Sequence, residues 1–209
     1  MKDFKALGKE FTSDESTFEL VSSYTLSDYE SYIWHNANKT KGILAYVNQE
    51  NIIVAFQVLD LEAYPETDTL FSTIQYQLPF HDEWFVYWGG HDVMTNYHYA
   101  HETNRYAYDF VKVVDGSTYK GDPLENESYF AFNQDIVAPA KGIVVAVVDG
   151  IADNMPGVLN SSQPEGNMVV IEHEDGEYSI LAHFKQNSIV VKVTFNSGQS
   201  YIKGDIVSN

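Results

Sequence analysis

The 209-residue chain contains no cysteine. Disulfides, thiolate metal sites and cysteine nucleophiles are therefore excluded. Basic residues are scarce, with 12 Lys and Arg against 30 Asp and Glu, for a formal net charge of −18. Binding a phosphate backbone takes Lys and Arg. No nucleic-acid partner is expected, and an anionic membrane surface is a poor match; the acidity itself reads first as solubility. No apolar run of roughly 18 residues occurs, so no membrane span is expected. The first 16 residues, "MKDFKALGKEFTSDES", are too polar for a signal peptide. Internal repeats and low-complexity tracts are also lacking.

What the chain does have is apolar and aromatic. Hydrophobic residues make up 44% and charged residues only 20%, which is a foldable rather than a disordered composition. The 15 Tyr and 12 Phe, with recurrent β-branched runs, favour strands. "LSDYESYIWHNA" reads as the start of a helix, with Ser27 or Asp28 as cap and Tyr29, Tyr32 and Ile33 on one side. Two apolar runs, 43–47 and 52–59, flank turn residues 48–51 and predict a hairpin. "TLFSTIQYQLPF" alternates and predicts a strand ended by Pro79. Further strands are expected in "EWFVYWGG" and in part of "RYAYDFVKVV", before a turn at Asp115-Gly116. "DIVAPAKGIVVAVVDG" is expected to hold two, and "NMVVIEHEDGEYSILAHF" to form a hairpin about Asp175-Gly176. The stretch 153–167 is the longest without a strand pattern, as a functional or mobile loop would be. The fold class expected is mainly β: an antiparallel sandwich or barrel-like domain over 79–209, after a small α+β module over 1–78. Trp34, Trp84 and Trp88 have the faces to stack on sugar rings, although core packing is the commoner use.

Seven histidines are available: His35, His81, His91, His98, His101, His173 and His183. "TNYHYAHETNRYAYDF", residues 95–110, sets two of them near Asp109. Side chains alternate along a strand, so His98 and Asp109 would not share a face of an uninterrupted one. A loop at "HETN" would lift that objection. Histidine nitrogen and carboxylate oxygen are usual zinc ligands. Composition by itself favours the plainer reading of an exposed histidine beside a solvated aspartate. Arg105 would pair with Asp109, with a substrate carboxylate or with a surface acid. His183, at the end of the apolar "SILAHF", is either a satisfied core residue or the base of a cleft.

These pieces, taken in order, resemble the lysostaphin/LytM-type zinc metallopeptidases, many of which cut peptidoglycan peptides. "NYHYAHETNRYAYDF" is similar to the first motif, a histidine followed by an aspartate. "DIVAPAKGIVVAVVDG", "GNMVVIEH", "YSILAHF" and "NSIVVKVTFNSGQSYIKGDIV" follow in family order across about residues 80–209. The resemblance implies His98 and Asp109 as zinc ligands, with His101 as an alternative to His98. It also implies His183 as a catalytic histidine and Asn167, in a family-like "GN" after Gly166, as a contact for substrate, with a turn role equally open for Asn167. The implied partners are bacterial wall peptides and the implied location is the cell envelope or outside the cell. The spacing from His98 to Asp109 exceeds the compact His-x-x-x-Asp form of many relatives. The family's closing His-x-His motif is absent, since no histidine follows His183. With two protein ligands zinc would be weakly held, as in a chain cut short before that motif.

Two other readings fit some of the same residues. One is a non-catalytic relative that binds wall peptides or regulates another hydrolase. The other is a carrier or phosphocarrier-like β domain, because "VAPAKGIVVAV" and "YIKGDIV" also resemble pieces of those proteins. Lys141 and Lys203 lack the tight Met-flanked hairpin a carrier lysine needs, whereas His183 is a possible phosphocarrier histidine.

Overall fold

The computed structural model describes residues 2–13, 17–193 and 200–203. The chain divides into two compact units. The first comprises Met1–Leu70 and Val86–Phe110, and the second Phe71–Phe85 and Val111–Asn209. Architecture is mainly β, with antiparallel sheets and few, short helices; no sheet closes into a barrel among the described residues.

In the first unit a helix, α1 (Lys2–Phe11), precedes four strands: β1 (Phe18–Leu26), β2 (Tyr29–Asn36), β3 (Lys41–Asn48) and β4 (Ile53–Asp60). They form one antiparallel sheet in sequence order. The helix expected from Ser27 onward is instead a tight hairpin, with Leu26 opposite Tyr29. Ser27 takes the left-handed turn, at φ 55°. Asp28 accepts from the Gln49 amide at 2.9 Å rather than capping a helix. Periodicity decided the outcome. Ser31, Ile33 and His35 are buried in alternation, a period of two that no helix can satisfy. The hairpin expected over 43–59 is β3–β4, and its turn is tied by Asn48 Oδ1, which accepts from the amides of Glu50 and Ile52.

Ile33, Leu44, Leu61 and Met94 form this unit's buried apolar cluster. Gly42 permits it: a Cβ there would overlap the Met94 sulfur. A short helix, α2 (Pro65–Asp68), follows the sheet. Strand β5 (Phe85–Trp88), in "EWFVYWGG", pairs with β6 (Asp109–Val111).

The second unit is built on an antiparallel sheet of β7 (Ile143–Val148), β8 (Asn167–Glu172) and β9 (Tyr178–Phe184). Val169 and Ile171 are fully buried, and Phe184 nearly so. The β8–β9 hairpin turns at Asp175-Gly176, where both residues take positive φ. "TLFSTIQYQLPF" does not form the expected strand. Its end is tied to 137–139 by two backbone bonds, Gln77 N–H to Pro139 O (2.8 Å) and Val137 N–H to Pro79 O (2.7 Å). Two prolines without N–H groups keep that contact from extending into a ladder. For the same reason "DIVAPAKGIVVAVVDG" yields one strand, β7, rather than two. No strand lies between Val148 and Asn167, so the long loop is as expected. A further pair, β10 (Val190–Val193) and β11 (Ser200–Lys203), completes the described strands. The rest of "NSIVVKVTFNSGQSYIKGDIV" after Val193, namely 194–199 and 204–207, lies outside the described residues.

The segment 71–77 is latched to the hairpin end by one carboxylate. Glu177 accepts from Ser72 Oγ, from Thr73 N (2.6 Å) and Oγ1 (2.7 Å), and from Tyr76 Oη (3.3 Å). These bonds, the Ser72 hydroxyl first, lower its pKa from the ordinary 4.5 to about 2. A carboxylate depressed in the fold adds stability above its ordinary pKa and loses it as pH falls through the folded value. Stability in urea is therefore expected to fall less in Glu177→Gln than in the unaltered protein between about pH 5 and about pH 2. Equal slopes would remove the latch as a contributor.

Candidate functional site

Gly89-Gly90 ends β5, and Asp92 then builds the next turn. Its Oδ1 accepts from the amides of Met94 (2.8 Å) and Thr95 (3.1 Å), and its Oδ2 from the Thr95 hydroxyl (2.8 Å). This is the competition of a short acidic side chain with regular structure. Asn96 follows as the cap of a 3-10 turn over Tyr97–Ala100. A second such turn, Glu102–Asn104, brings the chain back to β6. The "HETN" stretch is thus the loop that the sequence required for His98 and Asp109 to meet.

They do meet. His98 Nε2 lies 3.7 Å from Asp109 Oδ1. The His98 side chain is 9% exposed and that of Asp109 36%, so the pair is open to solvent from the aspartate side. The Tyr97 ring lies against the imidazole with centroids 3.9 Å apart, and Trp88 packs edge-on to Tyr97 at 5.5 Å. Burial, and then the charge of Asp109, raise the Tyr97 hydroxyl pKa; Tyr87 is raised by burial, then Tyr24, then Asp109. The Asn96 side chain faces the other ring nitrogen, with Oδ1 3.0 Å from His98 Nδ1. His101, the alternative first ligand, is exposed at the end of the 3-10 turn.

Arg105 is buried, not at the surface. Its Nε donates to Tyr99 O (2.9 Å) and Nη1 to Thr67 Oγ1 (2.9 Å), while the guanidinium lies 3.6 Å from the centre of the Tyr64 ring. Tyr99 Oη donates to Asp68 Oδ2 at 2.8 Å and accepts from Tyr64 N at 3.0 Å. The knot pins the loop that separates His98 from Asp109.

A second His–Asp pair sits nearby in the same unit. His35 Nε2 is 3.6 Å from Asp92 Oδ1, and this buried nitrogen has no hydrogen-bond partner.

His183 and Asn167 belong to the second unit. His183 is the extra residue of a β-bulge: Asn167 pairs with Phe184 and Met168 with Ala182. Its φ is 65°, a conformation that costs free energy outside glycine and clusters at functional positions. The backbone is held there by His183 N–H to Glu165 O at 3.2 Å. His183 lines a groove with Asp153, Asn154, Asn160 and Gln163, which all come from the 153–167 loop. Asn167 is 3% exposed. Its Nδ2 donates to Ile151 O (2.8 Å) and Phe184 O (2.9 Å), and its Oδ1 accepts from Ile151 N (2.8 Å). Both amide protons are thereby committed to the backbone.

The tryptophans each stack within the protein: Trp34 on Tyr32 at 5.7 Å and Trp84 on Phe80 at 4.8 Å, with Trp88 edge-on to Tyr87 and Tyr97. Among the described residues no group of three or more His, Asp or Glu side chains is placed to hold a metal ion. Asn96 and Asp92 were not singled out from the sequence. The available signal was an Asx residue opening the first two turns, Asp92 and then Asn96. No protein-family model, no curated protein and no solved structure matches the chain.

Proposed function

We propose that this chain is part of a zinc-dependent endopeptidase of the lysostaphin/LytM type, acting on peptides of bacterial peptidoglycan at the cell envelope. The proposal includes a peptidase-like β domain over 79–209. The observation that carries it is the His98–Asp109 pair. Their 3.7 Å separation is long for a hydrogen bond. Two zinc-ligand bonds of about 2.1 Å set nitrogen and oxygen roughly 3.4 Å apart at a tetrahedral centre, so the pair fits one ion with a small adjustment. The motif order supports the same reading.

When bound, zinc would supply a water of lowered pKa and polarise the scissile carbonyl. His98 and Asp109 would hold it. His183 is the residue that the resemblance assigns to catalysis, as a hydrogen-bond donor or proton relay. A catalytic zinc takes three protein ligands, and the 209 residues lack the His-x-His motif that the resemblance would supply. The chain by itself is therefore expected to bind zinc weakly and to be inactive.

Zinc titration by calorimetry tests this, on the 209 residues and on the whole product of the gene. In the whole product, His98→Ala and Asp109→Asn are each expected to weaken binding by about 100-fold or more, since even outer-shell changes cost ~10–100-fold. Failure of the whole product to take up zinc near one equivalent, or affinity indifferent to both substitutions, would overturn the proposal.

A further inference from the structure

We propose that Asn96 is a positioning residue that fixes the tautomer of His98, turning the lone pair of Nε2 toward Asp109. The use of that lone pair for a metal rests on the function proposed above; the tautomer does not.

Asn96 is 2% exposed. Its amide orientation is set by two carbonyls: Nδ2 donates to Ala107 O at 3.1 Å and to Gly90 O at 3.3 Å. A flipped amide would set its oxygen against both, acceptor to acceptor. Oδ1 is therefore the atom that faces His98, 3.2 Å from the backbone N–H and 3.0 Å from Nδ1. An amide oxygen can only accept. Nδ1 must then carry the proton, and in a neutral ring Nε2 carries the lone pair.

That lone pair faces Asp109 Oδ1 at 3.7 Å. Two acceptors opposed in a half-buried site gain nothing from each other and gain much from a cation between them. The opposite tautomer would turn an N–H toward Asp109 Oδ1, which at 3.7 Å is beyond ordinary hydrogen-bond distance, and would leave Asn96 Oδ1 facing another acceptor. A histidine whose outer nitrogen is bonded to an oxygen is how proteins orient metal-binding imidazoles. Tyr97 assists by packing on the ring face.

Two-bond nitrogen–proton NMR on the unaltered 209-residue chain, at a pH where the imidazoles are neutral, reads the tautomer directly. The His98 pattern is expected to show the proton on Nδ1. A proton on Nε2 would overturn the proposal, and no variant has to fold for that outcome to be read. Asn96→Leu, which removes the acceptor, is expected to move the proton to Nε2 and to weaken zinc binding about 10–100-fold with both ligands intact. A folded Asn96→Leu protein that kept the Nδ1 tautomer would also refute it. The Nδ1 tautomer in a protein that takes up no zinc would leave Asn96 in this role and remove the peptidase reading.

Discussion

Arg105→Ala is expected to cost about 3–4 kcal/mol of stability, a large share of the ~5–15 kcal/mol a domain possesses. Hydrogen bonds from a charged donor are worth about 1.5–3 kcal/mol each, and a desolvated cation–π contact up to about 2. Arg105 makes two such bonds and one close stack on Tyr64, but the terms overlap and do not sum. Alanine also deletes the apolar stem that fills the space beside Tyr64 and Tyr99. Arg105→Lys should recover little. One ammonium cannot reach Tyr99 O and Thr67 Oγ1 in the planar fork that guanidinium provides. Because Arg105 pins the turn between His98 and Asp109, both variants should also weaken the pair. Urea unfolding gives the first quantity, and the His98 imidazole shifts give the second. An alanine variant within about 1 kcal/mol of the parent would mean that the knot is slack.

That burial could not be read from the sequence. "NRYAYD" presents an arginine four residues before an aspartate, and a surface ion pair is the natural inference. Two of its actual partners, Tyr64 and Thr67, lie about forty residues earlier, and no local pattern links them to Arg105. Local signals fared better where turn chemistry and alternation agreed. Asn48 with Asn51, and Asp175 with Gly176, fixed two hairpins. They failed where two codes conflicted. Asp28 before Tyr29, Tyr32 and Ile33 satisfied a helix template, yet the same residues alternate as a strand, and the buried Ser31 and His35 show which code won. Pro79 marked the end of a strand that its lack of an N–H helped prevent. At the candidate site the residue types were legible, and the contact was not. His98 and Asp109 approach because Asp92 and Asn96 each bond neighbouring amides and fold the loop back, which alternation alone does not encode.

Asn167→Leu is expected to destabilise the second unit by about 3–5 kcal/mol, because leucine of similar size leaves three backbone groups without their partner. Those groups are Ile151 N–H, Ile151 C=O and Phe184 C=O. A buried group so orphaned costs about 1–3 kcal/mol, reduced where water enters. Asn167→Asp should not restore the parent value. It keeps an acceptor for Ile151 N–H but sets a carboxylate oxygen against two carbonyls. The clasp lies between the start of the 151–154 segment and the bulge that carries His183, so its loss should also release His183 from its positive φ. Amide exchange at Ile151 and His183 is expected to quicken in the leucine variant beyond the change in global stability. The alternative role, a direct contact with substrate, makes the opposite forecast: a leucine variant as stable as the parent, with Ile151 still protected and only substrate affinity reduced.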